Sequence, residues 1–459
     1  MSPPACSPAD LLAQAQATSR LINRERQPQV AGFLAQIREV VVIASSSRGG
    51  SSIFTEILRQ SPELIHFRGE INPFLTLAGL APPENGREDD GLDGWDARPP
   101  GQQARLMALE QELALDAGIN RPAALATPDR RRRFFLDLGW RIAMQWPQLE
   151  IDQDFLASQA QASLDDLVRE YGWETGEFMD AQLFHALFLV RMRSRYPQIN
   201  PHYYDLSPDL IAAHFQGVEI PWGPPAPLLI EEPPYVTIAP RHPVEATALK
   251  RQPLIIKTPS NAYRLAFLRA LFPQARLRIL HLTRHPADSI NGLIDGWRYH
   301  GFFSHHLAGQ LAIGGYSDRF PDWGRHWWKY DLPPGWRALS SAGLEQVCGY
   351  QWRKAHQSIL AYLAANPVET LSVRFEEVIG TLAARARVFN RIAAWLAIDP
   401  EPLLSTITGE MPPVMATVRP RQRRWFKREE LLRPVLADPA IVDTARRLGY
   451  DLEHDPNGQ

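Results

Sequence analysis

The segment Ser45–Ser52 (Ser-Ser-Ser-Arg-Gly-Gly-Ser-Ser) places an arginine, two adjacent glycines and a run of hydroxyls in one short loop. It follows the apolar run Val40–Ala44, which reads as a short buried strand of a parallel sheet. It opens the segment Ser51–Gln60, whose Ile53, Ile57 and Leu58 share a helical face. Strand, small-residue loop and helix together aim backbone N–H groups at an anion, so the stretch predicts a phosphate site. A Walker A loop would carry lysine after its last glycine. Here Ser51 follows Gly50, and the only cation is Arg48. An ordinary NTPase loop is therefore disfavoured, although a Ser/Gly loop of this kind also occurs as plain structure.

Two further cations sit where the pattern predicts strand ends. Lys257 closes Pro253–Lys257 and is followed by Thr258-Pro259. Arg284 closes the strand Leu277–Leu282, and Pro286 then opens a helix predicted over Ala287–Trp297. Singly, Lys257 could be a snorkelling surface lysine, and Arg284 could pair with Asp288. Three such groups at strand C-termini of one sheet instead suggest a ligand with two phosphates, because open α/β sheets bind ligands there.

The elements that position these groups follow from periodicity. Helices are expected at Leu11–Arg26, Gln29–Arg38, Ala262–Leu271, Leu344–Ala365 and Leu382–Leu396, with strands at Leu64–Phe67 and Leu371–Phe375. Alternation of strand and helix predicts an α/β fold: a central parallel sheet flanked by helices, with a large, mainly helical insertion. The division expected is 1–75 for the N-terminal helices and first βα unit, 76–250 for the insertion on the acceptor side, and 251–459 for the rest of the core. Within the insertion, Ala81–Gly94 and Arg98–Gly101 read as acidic loops and the prolines from Pro221 to Pro234 as an extended stretch. Its Trp140, Trp146, Trp173, Tyr203 and Tyr204 would suit either a bulky aromatic acceptor or simple core packing.

Composition bounds the rest. The 459 residues are 45% apolar and 22% charged with a formal charge of −2, so no global basic field points to nucleic acid. Cys6 and Cys348 form no disulfide framework, no Cys/His cluster has zinc spacing, and a cytoplasmic setting fits. The first residues do not read as a secretory signal, and no run of about 18 apolar residues predicts a membrane span.

With these motifs in order, the sequence resembles the sulfotransferases that use 3'-phosphoadenylyl sulfate (PAPS). Ser47–Ser52 is similar to their first loop, with Gly49 in place of the usual serine. Lys257–Pro259 with Phe272–Arg276 resembles their middle element, and Leu280–Asp288 their 3'-phosphate element. Val373–Ile379, Trp395–Ile398, Arg424-Trp425 and Leu448–Tyr450 resemble the C-terminal part. The likeness covers about 40–75 and 250–450. It implies a P-loop-like sulfotransferase core that moves the sulfuryl group of PAPS in line to a hydroxyl or amine, with no obligatory metal. Arg48, Gly49, Gly50, Ser51 and Ser52 would hold the 5'-phosphosulfate, Lys257 the sulfate or leaving oxygen, and Arg284 the 3'-phosphate. The family serine eight positions after that arginine is here Gly292, for which Ser289 or Asn291 could substitute. Glu70 is the expected base, with His66 its nearby rival. The basic run Arg419–Arg428 is either a solvated face or, through Arg424, a clamp over the donor, with Trp425 as a stacking surface for the purine. The acceptor would be a small molecule or carrier-bound group, with no nucleic-acid partner. A nucleotide kinase or NTPase, or a non-catalytic binding protein on the same fold, are the alternatives.

Overall fold

The run from Val40 to Ala44 is buried on both of its faces, and that requirement sets the sheet. In the computed structural model, which describes residues 7–28, 30–97, 103–120, 125–409, 414–415, 417 and 424–452, the strands are β1 (Glu39–Ala44), β2 (Ile65–His66), β3 (Gly118–Ile119), β4 (His242–Pro243), β5 (Leu254–Lys257), β6 (Arg276–Thr283), β7 (Phe303–His306), β8 (Trp327–Lys329) and β9 (Glu369–Arg374). Cys6, the Arg98–Gly101 stretch and Arg419–Arg423 lie outside the described residues.

Side chains alternate across β1. Val40, Val42 and Ala44 enter one core cluster, and Val41 and Ile43 enter another on the opposite face. None is more than 1% exposed, so each aliphatic side chain contributes about 1.5–3 kcal/mol of burial. Both edges of β1 are filled by parallel neighbours: Val40 faces Leu254 of β5 on one side and Leu277 of β6 on the other. The full order is β4-β3-β2-β5-β1-β6-β9. The five strands from β2 to β9 run parallel. This is the expected α/β class with helices on both faces. β7 and β8 form a separate antiparallel pair.

The segment expected to be a helical insertion does more than append helices. Its β3 and β4 continue the sheet antiparallel at the β2 edge. The helices Gln103–Asp116, Pro128–Gln145, Gln153–Tyr171 and Ala181–Arg193 make up most of the remainder. The aromatic residues singled out there are core: Trp140 packs in the sheet-side cluster, and Trp146, Trp173, Tyr203 and Tyr204 in the insertion's own. Trp146 donates its indole N–H to the Tyr204 hydroxyl at 3.0 Å, which satisfies both polar tips in the interior. The helix expected over Gln29–Arg38 is only Phe33–Gln36, because Gly32 before it adopts a left-handed conformation with φ 64°. The first turns of the helix expected from Ala262 are a 3₁₀ segment, Pro259–Tyr263, and the α-helix spans Leu265–Leu271.

A buried ion network joins the insertion to the core. Asp137, on the helix Pro128–Gln145, accepts from Arg26 at 2.9 Å, from Arg133 at 3.2 Å and from Arg68. Asp116 accepts from the Arg68 backbone N–H at 2.8 Å and from Arg141 at 3.3 Å. Burial opposes the charge on both aspartates, but the surrounding arginines prevail and hold both carboxyls below their usual range. Removing one partner of such a network leaves uncompensated buried charge. Asp137→Asn is expected to lower the unfolding free energy by about 3–5 kcal/mol, read by urea denaturation; a loss below about 1 kcal/mol would show the network is not what fastens the insertion.

Candidate active site

Parallel strands deliver their C-terminal ends to one edge of the sheet, and the connecting loops meet there. One cleft at that edge is lined by Ser47, Arg48, Gly50, Ser51 and Ser52 after β1, by Glu70 after β2, by Lys257 at the end of β5 and by Arg284 after β6. Asn291, Gly292 and Arg424 line it as well. Gly49, Ser289 and His66 do not.

The loop after β1 is shaped by glycine. Gly50 caps the helix Ser51–Leu58 with φ 92°, and no side chain caps that helix, so its first N–H groups face the cleft as donors. A Cβ on Gly50 would lie 2.2 Å from the Phe375 ring. A Cβ on Gly49 would lie 2.9 Å from the Ser46 carbonyl, which explains glycine where the resembled loop has serine. Ser47 fixes the loop from below by donating to Asp331 at 2.5 Å, while Tyr263 donates to the other oxygen of that carboxylate at 2.7 Å. Arg48 is itself left-handed at φ 60°, and its carbonyl accepts from Arg284 at 3.0 Å. Its guanidinium lies over the Phe302 ring at 5.2 Å and donates to the Met415 carbonyl at 2.7 Å.

Three guanidiniums thus gather on one side of the cleft. Burial lowers the pKa of Arg284; Asp288 and Glu376 partly restore it, and the charges of Arg48 and Arg424 lower it further. A cation held in this way is stabilised by an anion. Arg424 and Arg428 both grip Asp295, at 2.7 and 2.6 Å, and Arg428 also donates to the Asn291 side-chain oxygen Oδ1 at 2.8 Å. Arg428 is a neighbour of the site that the sequence reading did not separate from its basic run. Ser289 is fully buried, and Trp425 packs in the core beside His285 rather than on the cleft.

On the other side Lys257 is the centre. Its ammonium reaches Glu70 at 2.5 Å and the Ser52 hydroxyl at 3.2 Å. Arg68, the obvious partner for Glu70 in sequence, turns inward to Asp116 and Asp137, which leaves Glu70 to Lys257. His66 is 3% exposed, and burial followed by the charges of Arg241 and Arg59 holds its pKa well below the usual value. Asp331, Arg141, Glu231 and Glu232 also line the cleft, and their positions carried no signal in the sequence.

The sequence matches the sulfotransferase family over residues 40–331, from the first residues of β1 through Asp331. The chain belongs to the sulfotransferase family. Solved structures to which this sulfotransferase is similar include the sulfotransferase domain from the Synechococcus PCC 7002 olefin synthase (15% identity, TM-score 0.33, 91% of this chain and 96% of that one). They include the sulfotransferase domain from the curacin biosynthetic pathway (12% identity, TM-score 0.36, 90% and 99%). The sulfotransferase STF9 from Mycobacterium avium is a third (12% identity, TM-score 0.34, 96% and 87%). No curated protein matches the chain. Among the described residues no helix is long and apolar enough to cross a membrane.

The left-handed glycine at the helix entrance is the most exacting position of the loop. Gly50→Ala combines a disfavoured φ with a ring overlap, so it is expected to destabilise the fold by about 1–3 kcal/mol and to weaken anion binding, read by denaturation and by calorimetry with 3',5'-adenosine bisphosphate. Unchanged stability and binding would show that the loop tolerates another path.

Proposed function

We propose that this sulfotransferase moves the sulfuryl group of PAPS to a hydroxyl or amine of a small-molecule or carrier-bound acceptor, in a cytoplasmic setting. The observation that carries the reading is the convergence of Arg48, Lys257 and Arg284 on one cleft with an uncapped helix N-terminus and the Lys257–Glu70 pair. The two cationic regions fit a donor with two separate phosphates. Arg284, already disfavoured by its cationic neighbours, would hold the 3'-phosphate, with Arg424 and the amide of Asn291 beside it. Arg48 and the N–H groups of Gly49 to Ser52 would hold the 5'-phosphosulfate. Ser289, being buried, would support the helix rather than touch the donor.

The donor supplies an activated sulfuryl group, displaced in line by the acceptor. The chain's own part is positioning and charge placement. An ammonium has three N–H donors. Lys257 spends two on Glu70 and Ser52, and the third is available to the leaving oxygen, where negative charge grows. Glu70 faces the same point from the other side and accepts the acceptor's proton. The acceptor approaches along the helix Ser51–Leu58, whose Ser52, Thr55 and Glu56, with Arg59 after it, recur at helical spacing along the cleft wall. Pro73, Pro233, Pro234 and Val236 give that arm an apolar side.

Glu70→Gln is expected to keep bisphosphate binding within a factor of about three and to lower turnover roughly 100- to 10,000-fold. The readout is labelled PAPS with a panel of alcohols, phenols and amines; unchanged turnover would clear Glu70 of the role. Arg284→Ala is expected to weaken bisphosphate binding by about 2–4 kcal/mol in calorimetry. Failure of the native protein to bind 3',5'-adenosine bisphosphate would sink the reading as a whole, and magnesium-dependent ATP turnover would favour a nucleotide kinase or NTPase instead.

A further inference from the structure

Glu232 is a half-buried carboxylate on the wall of a cleft whose chemistry, as described so far, makes no use of it. It lines the cleft together with Glu70 and Lys257. Its position is fixed from two directions. The preceding residue, Glu231, accepts from Arg141 at 3.0 Å, and the Arg141 guanidinium lies against Gly69, where a Cβ would sit 3.5 Å away. Glu232 itself accepts from the Asn72 amide at 3.3 Å, and Arg264 holds that amide by donating to its oxygen at 2.6 Å. Gly69 and Asn72 flank the loop that carries Glu70, so the same short segment orients both carboxylates. We propose that Glu232 and Glu70 act as a carboxylate pair, and that the pair, rather than Glu70 alone, holds the proton that leaves the acceptor. The proposal rests on the sulfuryl-transfer reading above.

The bond balance is simple. The acceptor O–H (or N–H) bond breaks and a carboxyl O–H bond forms within the pair. The acceptor's electron pair forms the new bond to sulfur, and the bridging S–O bond of the donor breaks with its electrons on the 5'-phosphate. The proton returns to water after product leaves, so no other reactant is needed.

The electrostatics agree with the geometry. Burial, with the negative charge of Glu70 next in effect, pushes the Glu232 carboxyl up to about 7. The charged groups facing it are Glu70, His305 and Asp90, and His305 is paired with Asp90 at 3.5 Å. A carboxyl poised near neutral pH on the wall shared with Glu70 suits proton transfer. The sign for stability follows. Between the ordinary value of 4.5 and about 7 the folded state keeps a proton that the unfolded chain has released. This contribution therefore weakens stability as pH rises through that window.

The test compares native protein, Glu232→Gln and Glu232→Asp. Labelled PAPS and the acceptor panel give kcat/KM from pH 5 to 9, and thermal unfolding is read over the same range without ligand. The native acid limb is expected near pH 7. In Glu232→Gln it moves down by about one unit or more, because one carboxylate remains and its like-charged neighbour is gone. Glu232→Asp, which keeps a carboxyl, retains the native limb at lower turnover. Glu232→Gln also gains Tm relative to native protein at pH 8 compared with pH 5. A uniform loss of activity with the limb unmoved in Glu232→Gln, or an unchanged Tm–pH slope, overturns the pair. Absence of any transfer by the native protein overturns the sulfotransferase reading, and the proposal with it.

Discussion

Two buried aspartates, Asp116 and Asp137, carry the arrangement on which the cleft depends. Both come from the segment expected to be an insertion, and both hold Arg68. Glu70 is two residues away and would be the nearest carboxylate for that arginine if the aspartates were absent. Because they are present, Arg68 is neutralised inside the core, and Glu70 is left to face Lys257. Desolvating four arginines and three acids is costly, and such a network survives only when each charge has several partners. Asp137 has three arginines, and Arg141 bridges Asp116 to Glu231. Polar satisfaction in the core therefore also aims the proposed base.

What the sequence made legible is what neighbouring residues determine. The strand Val40–Ala44, the glycines that follow and the helix after them are contiguous, so their geometry follows from hydrophobic pattern and backbone freedom. The alternation of strands and helices likewise predicted a parallel sheet, and a parallel sheet brings strand ends together whatever its order. Arg48, Lys257 and Arg284 meet for that reason, although β1 lies far in sequence from β5 and β6. The pairings inside the site were not legible. Lys257 and Glu70 are 187 residues apart, and Ser47 and Asp331 are 284 apart. No local pattern marks Asp116, Glu232 or Asp331 as special among the chain's many acids. The large aromatics of the insertion stayed ambiguous for a related reason: composition cannot tell a residue that fills a core from one that lines a cavity, and these fill a core.

The strand order also separates the charges. β1 lies between β6, whose end carries Arg284, and β5, whose end carries Lys257; β2 with Glu70 lies beyond β5. The guanidiniums of Arg48, Arg284 and Arg424 consequently collect on one side of the Ser45–Ser52 loop and the carboxylates of Glu70 and Glu232 on the other, with Lys257 between them. A ligand that spans the cleft meets anion-binding groups at one end and proton-accepting groups at the other. A reversed strand order would bring Glu70 to the guanidinium side, where it would neutralise the anion site.

Gly292 belongs to the same economy of charge. A side chain there would begin 3.5 Å from the Arg48 Cβ and 3.8 Å from its Nε, so the bare helix surface is what Arg48 rests on. Arg48 takes a left-handed backbone, offers its carbonyl to Arg284 and extends its guanidinium over Phe302. With these contacts the side chain runs beside Gly292. The resembled family places a serine at this helix position to meet a phosphate. Here the small residue leaves the Arg48 side chain in ordinary contact with that helix turn. Gly292 therefore gives the Arg48 side chain its place against the helix that follows Arg284, and so links that helix to the loop that opens the sheet.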